Sequence, residues 1–125
     1  VVPMPTQAVE LLRDLQKLTG RSLYVFPGQR DHERPMSDNS VRSALYGLGF
    51  GTEQSWHGFR ASARTMLVDQ LDLDPLAIEA NLAHMVKDSN GRSYNRTKYL
   101  VKRFEMVQQW ADYLDRIRLG EVVKE

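Results

Sequence analysis

Apolar residues recur at helical spacing in several stretches of this chain, and each stretch is opened or closed by a residue that starts or stops a helix. That punctuation constrains the fold more than any other feature. Thr6 stands as a cap just after Pro5, and Val9, Leu12, Leu15 and Leu18 form a stripe that runs to the Gly20 stop. Ser37 is placed to cap a second helix carrying Val41, Ala44, Leu45 and Leu48, broken at Gly49 and Gly51. Ser55 caps a third, with Phe59, Ala63, Met66 and Leu67 inward. Asp74-Pro75 puts an acid at the cap and proline at the first helical position, opening a short helix to about His84. The last helix is the longest: Phe104, Val107, Ala111, Leu114 and Ile117 line one face, and Gly120 ends it.

Between these helices, Ser22 to Phe26 is a short apolar run closed by Pro27-Gly28, readable as one strand or an extended segment. Gln29 to Pro35 is a charged loop, and Lys87 to Gly91 is turn-like. The expectation is a mainly α, compact multi-helix domain with at most a short strand. A length of 125 residues suits one domain, and the 42% apolar and 26% charged fractions are ordinary for a globular protein. No apolar run approaches the roughly 20 residues that span a bilayer, so no membrane partner is expected. With no cysteine, disulfides and thiolate metal sites are excluded, and a cytoplasmic location fits. The chain opens without Met on Val1-Val2-Pro3, which reads as a strand end, so it is taken as a piece cut from a larger protein.

The helical stripes leave a small set of residues unexplained. His57 and Arg60 are three apart and share a helix face just after Ser55, where unpaired amides and the helix dipole favour an anion. Arginine offers a planar fork of donors to phosphate oxygens, and a neutral imidazole can exchange a proton near pH 7. Alone, the pair is better read as a cap-region histidine and a surface arginine. His84 ends its helix, where an ordinary role is to complement the dipole. Tyr94 sits between Arg92 and Arg96, as a stacked surface ring or as a phenol held near phosphate. A phenol, with an ordinary pKa of about 10, needs a cationic setting to act as a nucleophile. Tyr99 is its competitor.

Net charge is only +1, so the distribution of charge carries more than its sum. Lys87, Arg92, Arg96, Lys98, Lys102 and Arg103 share one segment with a single acid, Asp88. Such a run suits a phosphate backbone or simply a solvated helix face. His32, His57 and His84 are too scattered for a histidine metal motif, the Gly47–Gly51 region lacks a P-loop ending, and no serine stands in a Gly-x-Ser-x-Gly elbow. No metal and no cofactor are expected.

Order and spacing say more than any one residue. His57-Gly58-Phe59-Arg60 opens a helix, Leu82-Ala83-His84 closes another, and Ser93-Tyr94-Asn95-Arg96 follows, with Tyr94 ten residues after His84. This succession resembles the tyrosine recombinases, specifically the bacteriophage and prophage integrases. Tyr24-Val25-Phe26-Pro27, Arg34-Pro35-Met36-Ser37 and Trp110-Ala111-Asp112-Tyr113-Leu114 also look like integrases of this kind, so the likeness runs from about Val2 to about Ile117.

The resemblance implies that residues 1–125 are the C-terminal part of an integrase catalytic domain. Arg60 then matches the family's second catalytic arginine, His57 its paired histidine, His84 the third-position histidine or tryptophan, and Tyr94 the nucleophile. Tyr99 matches a tyrosine that is not catalytic in similar sequences, and Met85-Val86 replaces a more polar stretch. Arg92, Arg96 and Lys98 are expected to contact DNA phosphates. The implied partners are double-stranded DNA and other protomers in a DNA-bound tetramer, with no small-molecule substrate. The family's first arginine and its lysine lie upstream of Val1, so the fragment alone is expected to be inactive. The alternative is a non-enzymatic helical DNA-binding or assembly module from an inactive integrase remnant.

Overall fold

Among the described residues five α-helices form, in the order that the start and stop residues set. They are α1 (Thr6–Thr19), α2 (Ser40–Gly47), α3 (Trp56–Asp69), α4 (Pro75–Asn81) and α5 (Leu100–Arg118). The computed structural model describes residues 2–82 and 100–121, the Ala80 side chain apart. The described chain is mainly helical, as its periodicity predicts, and divides into two units: Ala8–Ala61, and Val1–Gln7 with Ser62–Glu125.

In Ala8–Ala61, order comes from local hydrogen bonds. Leu12 and Leu15 of the α1 stripe are half-buried, but Leu18 is 84% exposed and does not continue the stripe. The run Ser22 to Phe26 forms no strand; an isolated antiparallel bridge instead joins Pro27 to Pro35. Gly28 N–H donates to the Arg34 carbonyl (2.7 Å) and Met36 N–H to the Phe26 carbonyl (2.9 Å). Both prolines lack a ladder donor, so the flanking residues carry the bonds and a strand cannot propagate. Ser22 Oγ donates across the enclosed loop to the His32 carbonyl (2.8 Å).

The second helix starts two residues later than Ser37 implies. Asn39 holds the cap position without a side-chain bond, while Ser37 accepts from Ser40 N–H through its carbonyl (2.9 Å). Its end follows the glycine rule. Gly49 takes a left-handed φ of 86°, and bonds from Gly49 N–H to Tyr46 and from Phe50 N–H to Leu45 close the last turn. No residue of Ala8–Ala61 is buried.

The other unit has a true core. Leu67 of α3, Ile78 of α4 and Met106 of α5 meet in it, with Leu71, Leu73, Leu82, Val107 and Trp110 packed around them. The turn from α3 to α4 places Asp72 at a φ of 50°, which a short polar side chain tolerates. α4 then starts as Asp74-Pro75 predicts: Asp74 Oδ1 accepts from Leu76 N–H at 2.9 Å. It ends at Asn81, and Leu82 is in a turn; His84 lies outside the described residues.

α5 packs with a face that only partly overlaps its apolar stripe, sharing Val107 and Ala111 with it. Arg103, Met106, Ala111 and Tyr113 are buried and Val107 and Trp110 half-buried, while Phe104, Leu114 and Ile117 are exposed. Amphipathic side chains explain the rotation. Arginine and tyrosine bury their apolar bodies along the seam; Arg103 turns its guanidinium to Asn81, while the Tyr113 hydroxyl is buried without a hydrogen-bond partner. The Tyr113 ring stacks on Trp110 (centroids 5.8 Å apart) and lies under the Arg116 guanidinium at 5.7 Å. Gly120, at a φ of 80°, ends the helix as expected.

Thr6 does not cap α1 with its own side chain. Its N–H and its hydroxyl both donate to Gln108 Oε1 of α5, at 2.9 and 3.1 Å. Gln7 Nε2 donates to Asp112 Oδ1 and Asp115 Oδ2, both at 2.9 Å, and Gln108 Nε2 returns to Gln7 Oε1 at 3.0 Å. A side chain 102 positions away thus satisfies the first amide of the helix.

Candidate functional site

Ser55 organises the first turn of α3. Its Oγ accepts from Gly58 N–H at 3.0 Å, and its carbonyl accepts from Phe59 N–H at 3.3 Å. Gln54 folds over the same cap, with Oε1 accepting from Ser55 N–H at 3.0 Å. A Cβ at position 58 would land on that Gln54 side chain, so glycine there lets the cap close tightly. His57 and Arg60 follow within α3 on one helical face, and both side chains are exposed. Among the described residues His57 has no hydrogen bond or ion pair, leaving both ring nitrogens for solvent or an external group. The positive end of the helix favours an anion there.

His84, Tyr94, Arg92, Arg96 and Lys98, together with the competitor Tyr99, lie outside the described residues. The structure therefore describes the His57 and Arg60 portion of the expected constellation by itself. Among the described residues no group of His, Cys, Asp or Glu could hold a metal ion, and no helix is long and apolar enough to cross a membrane.

The end of the basic run makes contacts with α4. Lys102 Nζ is 3.6 Å from Asp74 Oδ2 at the start of α4, and Arg103 Nε donates to Asn81 Oδ1 (3.2 Å) at its end. Arg64 of α3 reaches Glu79 of α4 at 2.6 Å. Asp74 and Glu79 of the acid-rich stretch from Asp69 to Glu79 thus meet bases of the same unit, where the charge pattern left a phosphate backbone or a solvated helix face open for the run that includes Lys102 and Arg103. Sequence reasoning missed the Arg103–Asn81 contact. The one available signal was an arginine three positions before Met106 and ten before Tyr113, on the same helical face.

In α5, hydrogen bonds from Gln7 first and Gln108 second hold the Asp112 carboxyl below its ordinary value. They outweigh an opposing desolvation, and the Arg116 charge lowers it further.

The chain is similar to phage and prophage integrases along nearly all of its length. It is 40% identical over 116 residues to the prophage integrase IntS of Escherichia coli K12, covering 92% of this chain and 30% of that protein. The integrase of Shigella phage Sf6 gives the same identity and coverage. The integrase of Enterobacteria phage P4 is 39% identical over 121 residues, covering 94% of this chain and 28% of that one. The chain therefore spans about 30% of the length of the curated relatives it matches. No family model matches it. No solved structure matches it.

Proposed function

We propose that this chain, as the C-terminal part of an integrase catalytic domain, supplies the nucleophile-bearing half of a DNA strand-transfer site used in site-specific recombination and integration. The observation that carries the reading is the identity to phage and prophage integrases over 92% or more of the chain. It is supported by the ordered series His57, Arg60, His84, Tyr94 within that span.

In this reading the Tyr94 oxygen attacks the scissile phosphorus. One P–O bond forms to the tyrosine as another breaks to the 5′-oxygen, which takes up a proton from solvent and departs as the hydroxyl, leaving a 3′-phosphotyrosyl link. His57 takes the phenol proton as general base. Arg60 and His84 donate to the oxygens of the crowded five-coordinate phosphate, where fixed donors count most. A 5′-hydroxyl from another strand then attacks the link and regenerates the phenol. Bond energy is kept throughout, so the step calls for neither metal nor nucleotide cofactor. Arg92, Arg96 and Lys98 hold the backbone of the duplex, the work takes place in the cytoplasm, and further protomers complete a DNA-bound tetramer.

A nicked suicide substrate traps the covalent intermediate on the full-length protein. Tyr94→Phe should abolish the protein–DNA adduct and Tyr99→Phe should retain it. Adduct persisting in Tyr94→Phe and vanishing in Tyr99→Phe would move the nucleophile; no adduct from the unaltered protein would favour a DNA-binding module without chemistry.

A further inference from the structure

We propose that Arg103 is a positioning residue for this site: it locks the C-terminal end of α4 onto α5 and so sets where the chain departs towards His84. The inference rests on the recombinase reading above.

α4 has seven residues, two turns, too few to hold a helix by its own hydrogen bonds. Its place is therefore set by what touches it. Its buried middle, Ala77 and Ile78, faces the Leu67 and Met106 core. That contact is apolar and non-directional, so it fixes depth better than it fixes rotation or axial slide. Direction comes from polar contacts: Arg64 holds Glu79 to α3 at 2.6 Å, and two more contacts join the ends of α4 to α5. At the start, Lys102 meets Asp74 at 3.6 Å with more than half of its side chain in solvent, a weak restraint. At the far end, Arg103 is 7% exposed, the one buried charged residue among those described, and its Nε–H reaches Asn81 Oδ1 at 3.2 Å. Asn81 is the last residue of the helix and stands three positions before His84.

Burying a guanidinium is costly, and an apolar residue of similar volume often serves stability as well or better. What the guanidinium adds is geometry, because its donors point in a rigid plane that a flexible ammonium does not reproduce. An arginine in this place suits control of orientation more than addition of stability. A donor set needs such control when it must meet a phosphate, since a misplacement of about 1 Å can cost about a hundredfold in rate.

The test uses the full-length protein carrying Arg103→Met, Arg103→Lys or Asn81→Ala. In Arg103→Met, amide exchange at Ile78 and Leu82 should rise about tenfold while exchange in α3 around Leu67 stays within about twofold. At saturating suicide substrate the adduct rate should fall about tenfold or more, with DNA affinity within about threefold. Arg103→Lys should recover part of the rate, and Asn81→Ala should repeat the Arg103→Met pattern. It also decides the matter if Arg103→Met does not fold.

Unchanged exchange at the end of α4 overturns the inference, as does faster exchange with an unchanged adduct rate, which would make Arg103 a stability contact only. A rate loss matched by lost DNA affinity would make it a phosphate contact instead. If the unaltered protein forms no Tyr94-dependent adduct, the recombinase reading fails and this role with it. If it does form one and the Arg103 variants match it, only this inference fails.

Discussion

Two units of one chain, both helical, are held together in different ways. Ala8–Ala61 is tied by bonds between near neighbours: the left-handed stop at Gly49, the Pro27–Pro35 bridge, the Ser22–His32 contact. It buries no residue and leaves Leu23 95% exposed. The unit formed by Val1–Gln7 and Ser62–Glu125 gathers one apolar side chain from each of three helices and adds polar contacts that span most of the sequence. Helical propensity is thus not what separates them. The difference is burial, and since stabilisation scales with apolar area removed from water, the two should answer very differently to the same kind of substitution.

The sharpest contrast should come from the core. Ile78→Ala should cost about 2–5 kcal/mol in chemical denaturation, because it removes a side chain that is 1% exposed and leaves a cavity among Leu67 and Met106. A loss under about 1 kcal/mol would mean that this unit has no more core than the other. Gly49→Ala comes next. Nothing lies near the added methyl, so its expected cost of about 1–2 kcal/mol is purely that of a left-handed backbone. An unchanged midpoint would show that the end of α2 contributes nothing to stability.

Leu18→Ala should change stability by no more than about 0.5 kcal/mol, since its side chain is already in water. A cost like that of Ile78→Ala would erase the comparison altogether.

The smallest effect is a titration. The Asp112 carboxyl is lowered in the folded chain, chiefly by Gln7, so its contribution to stability is present above the ordinary carboxylate value. That contribution is lost as pH falls through the lowered folded value. By NMR the Asp112 midpoint should lie below the usual carboxylate range and return towards it in Gln7→Ala. An unmoved midpoint would remove Gln7 as the cause.

The residues that begin and end helices were readable in advance wherever the deciding contact is short. Asp74 caps two residues ahead, Ser55 three, and Gly49 and Gly120 need only their own backbone freedom. The α5 seam was not readable, because Arg103 and Tyr113 count as polar in any periodicity while their bodies pack like apolar groups. The same holds for Thr6, whose partner Gln108 lies on another helix, and for Ser37, displaced as a cap by Asn39. At the candidate site, the order His57, Arg60, His84, Tyr94 was legible because order is a property of the chain. The second use of Lys102 and Arg103 was not, because a basic run is written alike whether it faces phosphate, water or a neighbouring helix.

The sequence by itself determined the helices, those of their ends that rest on Ser55, Asp74, Gly49 and Gly120, and the likeness to phage and prophage integrases, since each depends on residues close together or on their succession. Tertiary structure alone decided which face of α5 is buried, that Gln108 completes the start of α1, and that Arg103 reaches the end of α4. Those contacts join residues 22 to 102 positions apart, and no local preference can choose among partners that only packing brings within reach.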